Sequence, residues 1–193
     1  MTNFNEQLKK LSEPLTISQI DFRVQSINRG GYATILAYKD ARVDMDRLDE
    51  VLGPNNWKRE HKLENRNCIV SIYDPDKKEW VGKEDTGSES NQDAEKGLAS
   101  DSFKRACFNL GIGRELYNYP AISVKLNDNE WEKPADGSKD KPKPTWNFKL
   151  KEWKWYAEFE GRKITFLAAQ DDAGKTRFTW GTRKPKTNSE KNV

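Results

Sequence analysis

Residues 92–111, QDAEKGLASDSFKRACFNLG, place Ala99, Phe103, Ala106, Cys107 and Leu110 on one helical face and run into Gly111 and Gly113, where a helix ends. No other segment commits the chain so firmly, because what precedes it has a different period. Ile20, Phe22 and Val24 alternate with Asp21, Arg23 and Gln25, Gly30-Gly31 turns the chain, and residues 32–38 (YATILAY) return as a second strand of a hairpin. Residues 57–63 and 67–73 read as further strands. Asp74-Pro75-Asp76 is turn chemistry, and residues 79–83 come back as another strand. Residues 82–93 are polar and read as a surface loop. Two shorter helices complete the first half. Residues 3–11 carry Phe4, Leu8 and Leu11 before Pro14, a stripe that must bury against its own core or a neighbouring subunit. Residues 44–52 start with Asp44 as cap and stop at Gly53-Pro54. Strands paired through hairpins and crossed by one long helix define an α+β fold built on an antiparallel sheet.

The second half changes style. Residues 128–144 are rich in Pro, Lys and Asp and read as a linker or long loop. From Thr145 the chain is aromatic and basic, with Trp146, Phe148, Trp153, Trp155, Tyr156, Phe159, Phe166, Phe178 and Trp180 on expected strands. Aromatics interleaved with Lys151, Lys154, Arg162, Lys163, Lys175 and Arg177 suit base stacking, but aromatics in strands more often pack. Packing is the favoured reading, since only 34% of the 193 residues are hydrophobic and the core must draw on the seven tryptophans. The domain plan expected is a core over 1–120, an aromatic and basic extension over 121–182, and a basic disordered tail over 183–193.

Several classes are disfavoured. No apolar run approaches the length of a membrane span, and the first ten residues lack the apolar stretch of a secretory signal. Two cysteines, Cys68 and Cys107, make no disulfide scaffold, so the cytoplasm is the expected compartment. One histidine and two cysteines leave little for a zinc site or a histidine-dependent triad, and no metal, cofactor or enzymatic activity is expected. Residues 169–176 loosely resemble a phosphate loop, but a strand-like sequence follows where a helix is required, so a β-turn is the better account. Asp49 with Glu60-His61-Lys62 resembles a nuclease metal site only loosely, because Asp49 belongs to a solvated helix face. The formal charge is +3, all of it in residues 183–193, and residues 1–182 sum to zero. A neutral body still binds an anion when its charges segregate.

Four segments in order carry a resemblance: Leu11, Pro14, Ile20 and Arg23; ARVDMDRLDEVLGPNNW over 41–57; Gly82-Lys83-Glu84-Asp85-Thr86-Gly87; and ASDSFKRACFNLGIGRELYNYP over 99–120. The last is the most specific, through Ser100, Asp101, Phe103, Lys104, Arg105, Ala106, Leu110 and Gly111. Residues 8–120 thereby resemble the Rad-fifty-two family of single-strand-annealing recombination proteins, including its Sak-like phage branch. The part after Pro120 matches no segment of that family.

The resemblance implies an antiparallel sheet crossed by one long helix, assembly into a homo-oligomeric ring, and single-stranded DNA held in a basic groove and annealed without ATP. Lys104 and Arg105 fall on the family's groove pair, Arg42 on the groove arginine before the second helix, and Lys96 on a weaker match one face earlier. It also implies a role in recombination and repair, and as partner a 5′–3′ exonuclease or a host single-stranded-DNA-binding protein. Phe108 departs from the pattern, standing where eukaryotic members carry a further arginine. The rival within the same physics is a protein that protects single strands without annealing them.

Overall fold

A computed structural model describes the backbone of residues 4–88 and 94–183, and the side chains of all of these but 94–96. Residues 184–193 of the basic tail and residues 89–93 of the polar loop lie outside the described residues. The fold is α+β, with three α-helices among the described residues and antiparallel sheets. Among these residues no helix is long and apolar enough to cross a membrane. The chain divides into two compact units that are interleaved in sequence. One takes the residues up to Asp21 together with Tyr38–Tyr117; the other takes Phe22–Ala37 together with the residues from Asn118 on.

The first unit holds helices α1 (Phe4–Leu11), α2 (Ala41–Leu52) and α3 (Ala94–Asn109) and the strands β3 (Trp57–Lys62), β4 (Asn67–Asp74) and β5 (Glu79–Thr86). Strand β4 is central, pairing antiparallel with both neighbours. Its side chains alternate strictly: Cys68, Val70, Ile72 and Asp74 are buried, the residues between them half-buried. Period two puts those buried residues on one face, and α3 packs there, inserting Phe103, Ala106 and Cys107, all fully buried. Trp57 on β3 sits 6.2 Å from the Phe103 ring, centroid to centroid. Helix α1 docks on α2 within this unit. Gln7 donates to the Val51 carbonyl, and Arg47 donates to the carbonyls of Lys10 and Glu13, closing the exposed end of α1.

The second unit holds β1 (Asp21–Ile27, of which Asp21 itself belongs to the first unit), β2 (Tyr32–Tyr38), β6 (Ile122–Lys125), the short pair β7 (Trp131–Glu132) and β8 (Lys143–Pro144), and the strands β9 (Lys154–Glu160), β10 (Lys163–Gln170) and β11 (Thr176–Gly181). They form the sheets β1-β2-β6, β7-β8 and β11-β10-β9. Phe22 lies flat on Trp155 with ring centroids 3.6 Å apart and planes 3° from parallel, joining the first sheet to the third. Trp153 is buried against Phe148 and beneath the Arg177 guanidinium, 4.8 Å from the indole centroid. The Arg177 side chain is itself 5% exposed and ion-paired with Glu130 and Asp171. These aromatics pack, as expected; Trp146, Tyr156 and Trp180 remain exposed.

Three expectations change. Helix α2 begins at Ala41, not Asp44, because Asp40 in extended conformation accepts a hydrogen bond from the Arg42 N–H and is the cap. Strand β5 continues past Lys83 to Thr86: the backbone ladder with β4 reaches Asn67 opposite Thr86 and recruits residues whose polarity suggested a loop. Residues 128–144 are not a plain linker, since a 3₁₀ turn over Asp128–Glu130 and the β7–β8 pair anchor them. The turn at 169–176 joins β10 to β11. Gly174, at φ +80°, donates to the Asp171 carbonyl, and a strand follows.

Candidate nucleic-acid interface

Helices α2 and α3 pack together in the first unit and carry all four residues for which the family resemblance implies a DNA contact. Arg42 sits in the first turn of α2 with its side chain 81% exposed, its Nε donating to Asp40 Oδ1 at 2.9 Å. The Asp40 carboxyl is held below its ordinary range, first by that side-chain hydrogen bond and then by the Arg42 backbone N–H. Lys104 is half-buried on α3, and its charge acts on Asp40, Asp44 and Lys39. Lys104 and Arg42 therefore share the neighbourhood of Asp40. Arg105, one residue on, is turned about 100° around the helix. It points to β5, donating from Nε to Asp85 Oδ1 at 3.2 Å. Lys96 lies on the first turn of α3 by its backbone, and its side chain is outside the described residues.

The Glu84-Asp85-Thr86-Gly87 segment acts as a latch between β5 and α3. Asp85 accepts from Arg105 and from Asn109 Nδ2. Gly87 abuts the helix so closely that a Cβ there would lie 2.7 Å from the Leu98 carbonyl oxygen and from the Ser102 nitrogen. Ser88 donates to Asp101 through both its N–H and its hydroxyl. Two of the four resembling segments are thus bonded to each other, and the bonds fix the direction of Arg105.

Sequence reasoning missed what lies beneath. Lys39 and Asp44 form an ion pair with side chains 1% and 0% exposed. Lys39 also donates to the Ile112 carbonyl at 3.1 Å and stands 4.2 Å from the Phe108 ring centroid. Burial is the largest influence on both groups. It lowers Lys39, and it raises the Asp44 carboxyl to about 6 despite Lys39 beside it. Burial likewise raises the Cys107 thiol, which lies against the pair. The departure at Phe108 now has a reason: its ring receives the Lys39 cation, and an arginine there would set a second positive charge against a buried one. The available signal was helical spacing, because Asp44 stands four residues from Leu48 on the stripe that α2 buries. The acidic residue of the nuclease-like pattern is occupied, with Asp49 accepting from Trp57 Nε1 at 2.6 Å.

Charge is segregated between the units. The first contains 16 Lys+Arg against 20 Asp+Glu, a net −4, and the second 18 against 11, a net +7. Within residues 1–182 the values are −4 and +4, which is how that stretch sums to zero.

No protein-family model matches the chain. It is similar to the single-stranded DNA-binding protein DdrA of Deinococcus radiodurans, with 30% identity over 142 residues, 72% of this chain and 65% of that protein. It is also similar to the single-stranded DNA-binding protein DdrA of Deinococcus deserti, with 32% identity over 123 residues, 62% of this chain and 61% of that protein. The chain thus spans a little under two thirds of the length of these relatives.

Proposed function

We propose that this chain binds single-stranded DNA and anneals complementary strands without ATP, as an assembly of many copies that makes and breaks no covalent bonds. The observation that carries the reading is the similarity to two proteins named for single-stranded DNA binding, over most of this chain. The resemblance of residues 8–120 to the Rad-fifty-two and Sak-like family supports the finer statement. It also brings the ring, the recombination role and the exonuclease or host binding-protein partner into the proposal.

The chemistry suits the task. Annealing requires that phosphates be held while base edges stay free to test a second strand. Arg42 is the exchangeable cation: its pair with Asp40 is solvent-exposed, where water screens the attraction, so an arriving phosphate displaces the carboxylate at little cost. Lys104, whose field already acts on Asp40, adds a second charge at that place. Arg105 is bound by Asp85 and acts mainly as a positioning residue that keeps α3 on β5. Few cations per subunit give weak contact, so affinity comes from repetition along an assembly.

A strand-annealing assay tests the reading. Two complementary labelled oligonucleotides are mixed with wild type or Arg42→Ala/Lys104→Ala, without nucleotide or metal. Accelerated annealing by wild type that is lost in the variant, with unchanged circular dichroism, supports both the activity and the site. Tight binding without acceleration identifies a protective binder instead. Light scattering on the same samples reads the expected assembly.

A further inference from the structure

Lys39, Arg42, Lys77 and Arg105 of the first unit are ion-paired with carboxylates, and that unit is net negative. A polyanion is attracted by cations that no carboxylate neutralises, and the turn between β1 and β2 in the net-positive second unit brings two of them close to an exposed ring. Arg29 donates through Nη2 to the Ser138 carbonyl, and Lys125 donates through Nζ to the Gly30 carbonyl. Neither pairs with a carboxylate among the described residues, whereas Arg42, Arg105, Arg177 and Arg183 all do. Carbonyl oxygens fix the direction of these two cations without cancelling their charge.

Tyr32, 46% exposed at the start of β2 and three residues after Arg29 in the same turn, is directly opposite Lys125 in the antiparallel register. The Lys125 Nζ lies 5.0 Å from the Tyr32 ring centroid. The turn is rigid. Asn28 Oδ1 accepts from the N–H groups of Gly30 and Tyr32, and Gly31, at φ +74°, lies so close beneath the Trp131 indole that a Cβ would come within 2.7 Å of it. An exposed aromatic ring beside one cation, on a stiff turn that carries a second, suits the stacking of a nucleobase beside its phosphates.

We infer that the β1–β2 turn with Lys125 is a second contact point for single-stranded DNA, in which Tyr32 stacks a base and Arg29 and Lys125 hold the adjoining phosphates. The inference rests on the reading that the chain binds single-stranded DNA, and the experiment separates the two. Full-length wild type, Tyr32→Ala, Tyr32→Phe and Arg29→Gln/Lys125→Gln are titrated against labelled oligo-dT by fluorescence anisotropy between 50 and 200 mM salt. A 5-bromodeoxyuridine oligonucleotide is cross-linked to wild type and the peptides are mapped. Tyr32→Ala is expected to weaken binding about tenfold and Tyr32→Phe to stay within about twofold, since the ring and not the hydroxyl stacks. Arg29→Gln/Lys125→Gln is expected to lower the log–log salt slope by about 1.4, at about 0.7 for each single-strand phosphate contact. The cross-link is expected on the peptide containing Tyr32. Wild-type binding with all variants unchanged overturns this site and leaves the proposed function standing; no binding by wild type at 50 mM salt overturns both. A change in assembly size with Tyr32→Ala at unchanged affinity makes the turn a contact between copies and also overturns the inference.

Discussion

Lys39 and Asp44 join the start of α2 to the chain just after α3, through their ion pair and the Lys39 bond to the Ile112 carbonyl, and neither acts through exposure. Asp44→Asn leaves a buried ammonium without its counter-charge and is expected to lower the unfolding free energy by about 3–5 kcal/mol. Lys39→Met/Asp44→Leu, which removes both charges, is expected to recover most of that; urea melts of the two variants check it. The pH dependence has a definite sign. The folded Asp44 carboxyl titrates at about 6, above its ordinary 3.8, so the folded state takes up a proton first as pH falls. This group therefore adds stability between about pH 6 and pH 4 and withdraws it as pH rises through 6. Lys39, lowered by the same burial, acts at the alkaline end. There the folded state releases its proton first, and stability grows as pH rises through the lowered value. Lys104 and Cys107 are the other titratable groups acting on the pair. Thermal melts of wild type against Lys39→Met/Asp44→Leu are expected to move apart as pH falls from 7 to 4.5, with wild type gaining relative to the variant. None of this was legible at the residue level, because an Asp near a helix start reads as a cap until the true cap, Asp40, is seen to occupy that role.

At the scale of elements, periodicity carried most of the fold. Alternation marked β1 and the 3.6-residue stripe marked α3, since both reflect which side chains meet water. What the periods could not convey were contacts between distant residues. The ladder that extends β5 over Glu84, Asp85 and Thr86 depends on β4, and the latch to α3 joins Asp85 to residues 20 and 24 positions away. The resemblance singled out that segment without giving its role. Gly87→Ala tests the latch. The added carbon meets helix backbone at 2.7 Å, so the helix must shift, at an expected cost of about 1–3 kcal/mol. A Ser88→Ala control, which removes only an exposed hydroxyl bond, is expected to cost under about 1 kcal/mol. Equal losses from both in denaturant melts would mean that the close approach is not what holds β5 to α3.

For the whole molecule, the decisive property is the interleaving of the units, and it is also what hid the charge segregation. A window run along the sequence sees zero over residues 1–182, because the basic unit is assembled from two stretches separated by eighty acidic-leaning residues, Tyr38–Tyr117. The same connectivity predicts the behaviour of fragments. A chain ending at Pro120 keeps β1 and β2 but loses β6, leaving Ala33 and Ile35, both buried in the full chain, on an unpaired edge. Such a fragment is expected to aggregate or to show protease cleavage within residues 22–37, while the full chain resists cleavage there; timed digestion followed by mass spectrometry decides it. The ribosome meets this problem in every copy it makes. The β1–β2 hairpin emerges about 85 residues before β6, which at 5–20 residues per second is a wait of roughly 5–20 s with one strand edge bare. The order of synthesis thus gives the hairpin a period of exposure in the cell, during which a chaperone or a neighbouring nascent chain competes with β6 for the same row of backbone hydrogen bonds.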